Sequence, residues 1–137
     1  MATTMTLNAV HKSGGSDTTL VTVDWLSHAS DGTASASTAD FNYMGQPISN
    51  YLQGRELIMA QTAPGSATPS SYSMTVKDDH GQDLFGAGLA TRSTSAAESE
   101  FTYDTAVYGS RLISGDLAMA ITGAGNSKTG KLILTFE

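Results

Sequence analysis

The side chains richest in chemistry fall in one short run, Asp78-Asp79-His80-Gly81-Gln82-Asp83. Three carboxylates and an imidazole so close together are oxygen and nitrogen donors, the kind of set that holds a divalent cation such as calcium. The spacing does not follow through. A helix-loop-helix calcium loop needs oxygen ligands at alternating positions and a closing bidentate Glu, and the run has neither. Asp and Gly serve turns for reasons of their own, backbone hydrogen bonding and positive φ. The run therefore reads as a solvated turn without a bound metal; an ion here would need ligands from a second subunit.

The other chemical candidates are weaker. Gly86-Ala87-Gly88-Leu89-Ala90 has two glycines of a phosphate loop, but Thr91 stands where the third would be, and no Lys-Ser/Thr ending follows. His11, His28 and His80 sit in expected turns or loop ends, without the spacing of a metal site or a catalytic triad. No serine lies in a Gly-x-Ser-x-Gly elbow. Two of the thirteen carboxylates could meet as a glycosidase acid pair, yet nothing in their spacing supports one. The expectation is a chain with no catalytic residues, no cofactor and no enzyme activity.

Composition narrows the partners. Seven basic residues stand against thirteen acidic ones, and the basic residues are scattered singly from Lys12 to Lys131, which argues against nucleic acid. No apolar run approaches the roughly 20 residues needed to cross a bilayer, so no membrane partner is expected. The opening Met1-Ala2-Thr3-Thr4-Met5 lacks the basic and apolar regions of a secretory signal. There is no cysteine, which fits synthesis in a reducing cytoplasm. Low charge with abundant Ser, Thr, Gly and Ala suits a β-protein whose surfaces are covered by neighbours.

The elements that must carry these residues are strands. The length points to a single domain spanning residues 1–137. From Ser114 onward, Leu117, Met119 and Ile121 alternate with small or polar residues; a Gly/Asn/Ser loop follows, then Leu132, Leu134 and Phe136 alternate again. This pattern predicts a closing β-hairpin at the centre of the sheet. Val21, Val23 and Trp25 share one face of an earlier strand, Tyr72, Met74 and Val76 one face of another. Residues 5–10, 48–52 and 55–60 read as further strands, residues 63–71 as an extended linker, and residues 94–100 as room for one helical turn. Phe41 and Tyr43 share a face and are expected to pack, and Phe101 and Tyr103 share a face ahead of an irregular segment, 104–110. The pair Gly14-Gly15 marks a turn. Residues 1–6 read as a flexible arm and residues 27–40 as a flexible loop, with 33–38 able to form a weak edge strand. The fold class is all-β: an antiparallel two-sheet sandwich or jelly-roll-like barrel, with Val23, Trp25, Met74, Val76, Leu117, Met119, Ile121, Leu132, Leu134 and Phe136 in the core.

Three passages together resemble a known group. They are RELIMAQTAPG (55–65), SYSMTVKDDHGQDLFGAG (71–88) and ISGDLAMAITGAGNSKTGKLILTF (113–136). Their order is similar to that of small β-rich proteins encoded among the virion structural genes of tailed bacteriophages. In that group a Tyr/apolar strand runs into an acidic D-x-x-G-x-D-x-L turn, a Gly-x-Gly segment follows, and a Gly-rich hairpin closes the chain. Here the turn is Asp78-Asp79-His80-Gly81-Gln82-Asp83, with Leu84 directly after the Asp. The resemblance covers roughly residues 55–137. It implies a virion component, foremost a capsid decoration (cement) protein binding across capsomers, with a head–tail or tail component as the alternative. The implied partners are the major capsid protein and copies of the chain itself, as a homo-oligomer on the capsid surface.

The residues expected to make such contacts are Met5, Leu26, Ala118, Ala120, Thr122, Ile133 and Thr135. Met5 belongs to the reaching arm 1–6; the others face outward by alternation, are small or apolar, and lose little entropy on burial. A carbohydrate-binding β-sandwich is the other non-enzymatic reading, with Tyr43, Tyr51, Tyr72, Tyr103 and Tyr108 as candidate platforms.

Overall fold

The structure is a computed structural model and describes residues 4–12, 18–104 and 107–137. The strands in the first half are β1 (Thr4–Lys12), β2 (Thr19–Leu26), β3 (Ala34–Ser37), β4 (Asn42–Tyr43), β5 (Gln46–Pro47) and β6 (Glu56–Pro64). The second half supplies β7 (Ser73–Lys77), β8 (Glu98–Phe101), β9 (Tyr103–Asp104), β10 (Val107–Tyr108), β11 (Arg111–Leu112), β12 (Ala118–Thr122) and β13 (Thr129–Phe136). One short helix, α1 (Ile48–Leu52), and a 3-10 turn, Thr38–Asp40, complete the described elements. None of the described helices is long and apolar enough to cross a membrane.

The fold is an antiparallel β-sandwich and not a closed barrel. One sheet runs β1-β2-β13-β6-β11, with β8 also paired to β6; the other runs β3-β12-β7. Between them lies the core. Every one of the ten residues assigned to it from alternation is buried. Trp25 meets Tyr72 edge-on across the core, with ring centroids 5.1 Å apart.

The closing hairpin does not exist. β12 pairs with β3 and β7, and β13 with β2 and β6, so the two strands belong to different sheets. Their apolar faces coincide because they look at each other across the core, which alternation alone cannot separate from side-by-side pairing. The loop between them is held from both sides. Ala124 is buried and bonded through its backbone to Gly32 and Ser70, and Ser27 Oγ donates to the Gly125 carbonyl at 2.6 Å.

Other expectations change as well. Thr4–Thr6 pair with Leu26–Asp24, so that part of the proposed arm is an edge strand; residues 1–3 and the Gly14-Gly15 turn lie outside the described residues. The segment 27–40 is built rather than loose. Its β3 pairs with β12, and the buried Thr38 exchanges hydrogen bonds of 2.9 Å with the Leu117 backbone. Residues 48–52 are helical, because Ile48 and Leu52, four apart, bury one helical face. Residues 98–101 form a strand along the β6 edge, a tertiary pairing that overrides the helix propensity of Ala and Glu. That pairing turns Phe101 outward, leaving it 54% exposed. Strand β6 runs on to Pro64, four residues past the expected end.

Candidate interaction surface

The acidic run forms the tight turn expected of it. Asp78 Oδ1 accepts from the backbone N–H groups of His80 and Gln82, both at 2.9 Å. Asp83 accepts from the N–H groups of Phe85 and Ala87. Asp79 contacts the His80 ring nitrogen at 3.0 Å. Donor atoms of Asp78, Asp79 and His80 lie within 4.8 Å of one another, yet the Asp78 carboxylate is already committed to closing the turn.

The fold also assembles a serine–histidine–aspartate group that the spacing did not suggest. Ser30 Oγ lies 2.7 Å from His28 Nδ1, and Asp31 Oδ1 lies 3.7 Å from the same nitrogen. In a catalytic relay the hydroxyl and the carboxylate engage opposite ring nitrogens. Here both crowd one nitrogen on an exposed turn. The Asp31 carboxyl is held below its ordinary range first by the Thr33 hydroxyl and then by the Thr33 N–H. This is turn chemistry.

The surfaces are more informative. Register places Leu20, Thr22, Asp24 and Leu26 of β2 on the outer face of the large sheet, beside Lys131, Ile133 and Thr135 of β13. Met59 and Gln61 of β6 continue that face, followed by Phe101 and Ser99 of β8. Leu20, Met59 and Ile133, partly buried, and the exposed Phe101 thus gather on one face among Thr and Gln side chains. Its charges are neutralised locally, with Lys131 Nζ 2.6 Å from Asp24 Oδ1. On the outer face of the small sheet, Ala118, Ala120 and Thr122 lie beside Ser35, Ser37, Ser73, Thr75 and Lys77.

The expected contact residues therefore do not form one surface. Ala118, Ala120 and Thr122 face away from Ile133, Thr135 and Leu26, because their strands sit in opposite sheets. Met5 is opposite Trp25 in register and packs against the core, so it is held in a strand rather than free in a reaching arm. The residues missed were Leu20, Met59 and Phe101, and only the pairing of β8 to β6 turns the last two to the same side.

Of the tyrosines, Tyr72 is buried, and burial pushes its phenol up against the opposing influences of Thr62 and Arg92. The side chain of Tyr108 lies outside the described residues. Tyr43 and Tyr51 meet edge-on at 5.5 Å and, with Met44, Gln46, Pro47 and Asn50, line a pocket of about 220 Å³. The Lys12 ammonium and the Arg55 guanidinium lie 4.4 and 4.6 Å from the Tyr51 ring centre. A sugar platform needs a free aromatic face, and these cations already sit over that ring.

The ion pair on the large sheet gives a pH test. Partial burial pushes the Asp24 carboxyl up, but hydrogen bonds from Lys131 and Asn8, with the Lys131 charge, outweigh it and hold it below 3.8. A depressed folded value adds stability above the unfolded value and loses it as pH falls through the folded one. Wild-type protein is therefore expected to lose this increment below about pH 4, and Asp24→Asn to flatten that limb. Equally steep acid limbs in thermal melts of both proteins would contradict the assignment.

Comparison with protein-family models, curated proteins and solved structures finds no match.

Proposed function

We propose that this chain is a non-enzymatic virion structural protein of a tailed bacteriophage, foremost a capsid decoration protein that binds across capsomers. The reading starts from the motif order of residues 55–137. The observation that carries it further is the outer face of the large sheet, where Leu20, Met59, Phe101 and Ile133 stand together with Phe101 54% exposed. A clustered apolar face, unlike single exposed residues, marks a contact surface.

Five strands at about 4.8 Å spacing and eight residues at about 3.3 Å give that face a plan area on the order of 600 Å². A stable pairwise interface covers about 800 Å² per partner. One such contact is marginal by itself, and repeated copies on a lattice make it effective. In this reading the chain is made in the host cytoplasm and acts on the capsid surface, against the major capsid protein.

Phe101→Glu and Ile133→Glu, made separately, place a charge in the face at non-core positions. Each is expected to fold with wild-type circular dichroism and to drop at least about tenfold in copies per particle. Ala120→Lys reports on the opposite sheet. Wild-type occupancy of assembled particles by both Glu variants would overturn the assignment of this face.

A further inference from the structure

The geometry points to a conformational device at the edge of the contact face. Residues 93–101 form a strap that docks along β6 and swings off it as a unit, and only the docked strap presents Phe101. Two buried points hold its ends. Arg92 donates its backbone N–H to the Tyr72 carbonyl at 2.6 Å, and the buried Thr102 donates to the Ile58 carbonyl at 3.0 Å. Between them no residue is buried. Residues 93–97 form a loop, and β8 then follows the β6 edge in register from Thr62–Glu98 to Met59–Phe101.

This strand gives the core nothing apolar. Pairing with the buried Ala60 and Thr62 puts Glu100 and Glu98 on its inner side, and Phe101 and Ser99 on the outer. The inner positions of β2, β6 and β13 carry Val23, Leu57 and Leu134 instead. The strap is therefore fastened by backbone pairing without apolar burial. Pairing alone does little more than offset the entropy of ordering the segment. Segments secured this way lie at the low end of local stability.

The side-chain clasp between strap and body is incomplete. Arg92 is only 7% exposed, and its Nη2 lies 3.5 Å from Glu98 Oε1. The same oxygen also accepts from the Ser93 N–H. Among the described residues, the buried Nε and Nη1 of Arg92 have no partner. A buried charge with one long contact carries a desolvation cost that the pair does not offset. Opening the strap lets water reach Arg92 and Glu98 and removes that cost, so the docked and open states lie close in free energy. A partner on the outer face meets Phe101 only in the docked state, and contact there closes the strap. That closing step rests on the contact-face reading; the strap itself does not.

Hydrogen exchange on purified full-length chain tests the strap. The β6-bonded amides of β8 are expected to exchange at least about tenfold faster than those of residues 132–134 in β13. Arg92→Met and Glu98→Gln, each checked for folding by circular dichroism, are expected to move that rate in opposite directions. Arg92→Met removes the under-paired charge and leaves Glu98 to solvent, so exchange slows severalfold. Glu98→Gln leaves Arg92 buried without a carboxylate, so exchange quickens by about tenfold or more. The two halves of an ordinary stabilising pair would both quicken it. Gln61→Cys with Ser99→Cys, directly opposite in a chain without cysteine, is expected to stop the opening on oxidation and restore it on reduction. Assembled particles in about hundredfold excess over the Kd are expected to slow strap exchange on the order of a hundredfold. The inference is overturned if the strap exchanges as slowly as β13, if both single variants shift exchange the same way, or if oxidation changes nothing. Particles that bind the chain while strap exchange stays at its free value overturn the closing step. A chain that binds no particle counts against the virion reading alone, and exchange in the free chain then decides the strap.

Discussion

Leu134→Ala should destabilise the protein by about 2–5 kcal/mol, a large part of the roughly 5–15 kcal/mol that holds a domain together. Leu134 is 1% exposed at the middle of β13, directly opposite Val21 on one side and Ala60 on the other. Two neighbouring strands fix the backbone there, so the site cannot collapse to fill the space, and the cavity adds to the lost burial. Ile133→Ala, one position away on the outer face, should cost less than about 1.5 kcal/mol. Chemical denaturation of both variants checks the pair. A loss at Leu134 under about half a kcal/mol would mean that the register is shifted by one residue.

The second large effect is expected at Gly130. This buried glycine is paired with Trp25 on β2 and Pro64 on β6. A Cβ there would lie 2.5 Å from Trp25 Cε2, 2.8 Å from Nε1, and closer still to Cζ2. The indole covers the glycine as aromatic residues cover cross-strand glycines elsewhere. It cannot withdraw freely, since Tyr72 packs edge-on against it. Gly130→Ala therefore overpacks the core, and overpacking costs about 1–3 kcal/mol or more. Trp25 is the only tryptophan, so its fluorescence and near-ultraviolet circular dichroism report the site directly. An unchanged tryptophan signal together with an unchanged melting temperature would refute the packing described.

What the sequence revealed and what it concealed follow from the same physics. Alternation reports which face of a strand is buried, and it placed Val23, Met74, Met119 and Leu134 correctly. It carries no information about which strand lies alongside. Met119 and Leu134 were therefore assigned to one hairpin when they face each other across two sheets. Helix α1 was hidden by its brevity, since five residues give one apolar pair, Ile48 and Leu52, and no sustained period. The surface was harder still. Phe101 is outward only because β8 settles along β6, a pairing that nothing local announces. Ile133, Thr135 and Leu26 were legible as outward residues, but their separation from Ala118, Ala120 and Thr122 depended on the sheet order.

That sheet order also sets the timing of folding. In the large sheet β1 and β2 are neighbours both in sequence and in space, but β2 and β6 meet only through β13. The ion pair that joins β2 to β13 spans 107 positions. Until β13 arrives, β2 and β6 each carry an unpaired edge next to apolar side chains, and no local hairpin can stand in for the missing strand. Topologies dominated by such distant pairings fold in milliseconds to seconds, with the loop-closure entropy spent before the contacts form. Open edges during that interval are where chains stick to one another. Slow synthesis and low temperature, which keep half-built sheets dilute, are the conditions under which this architecture reaches its sandwich intact.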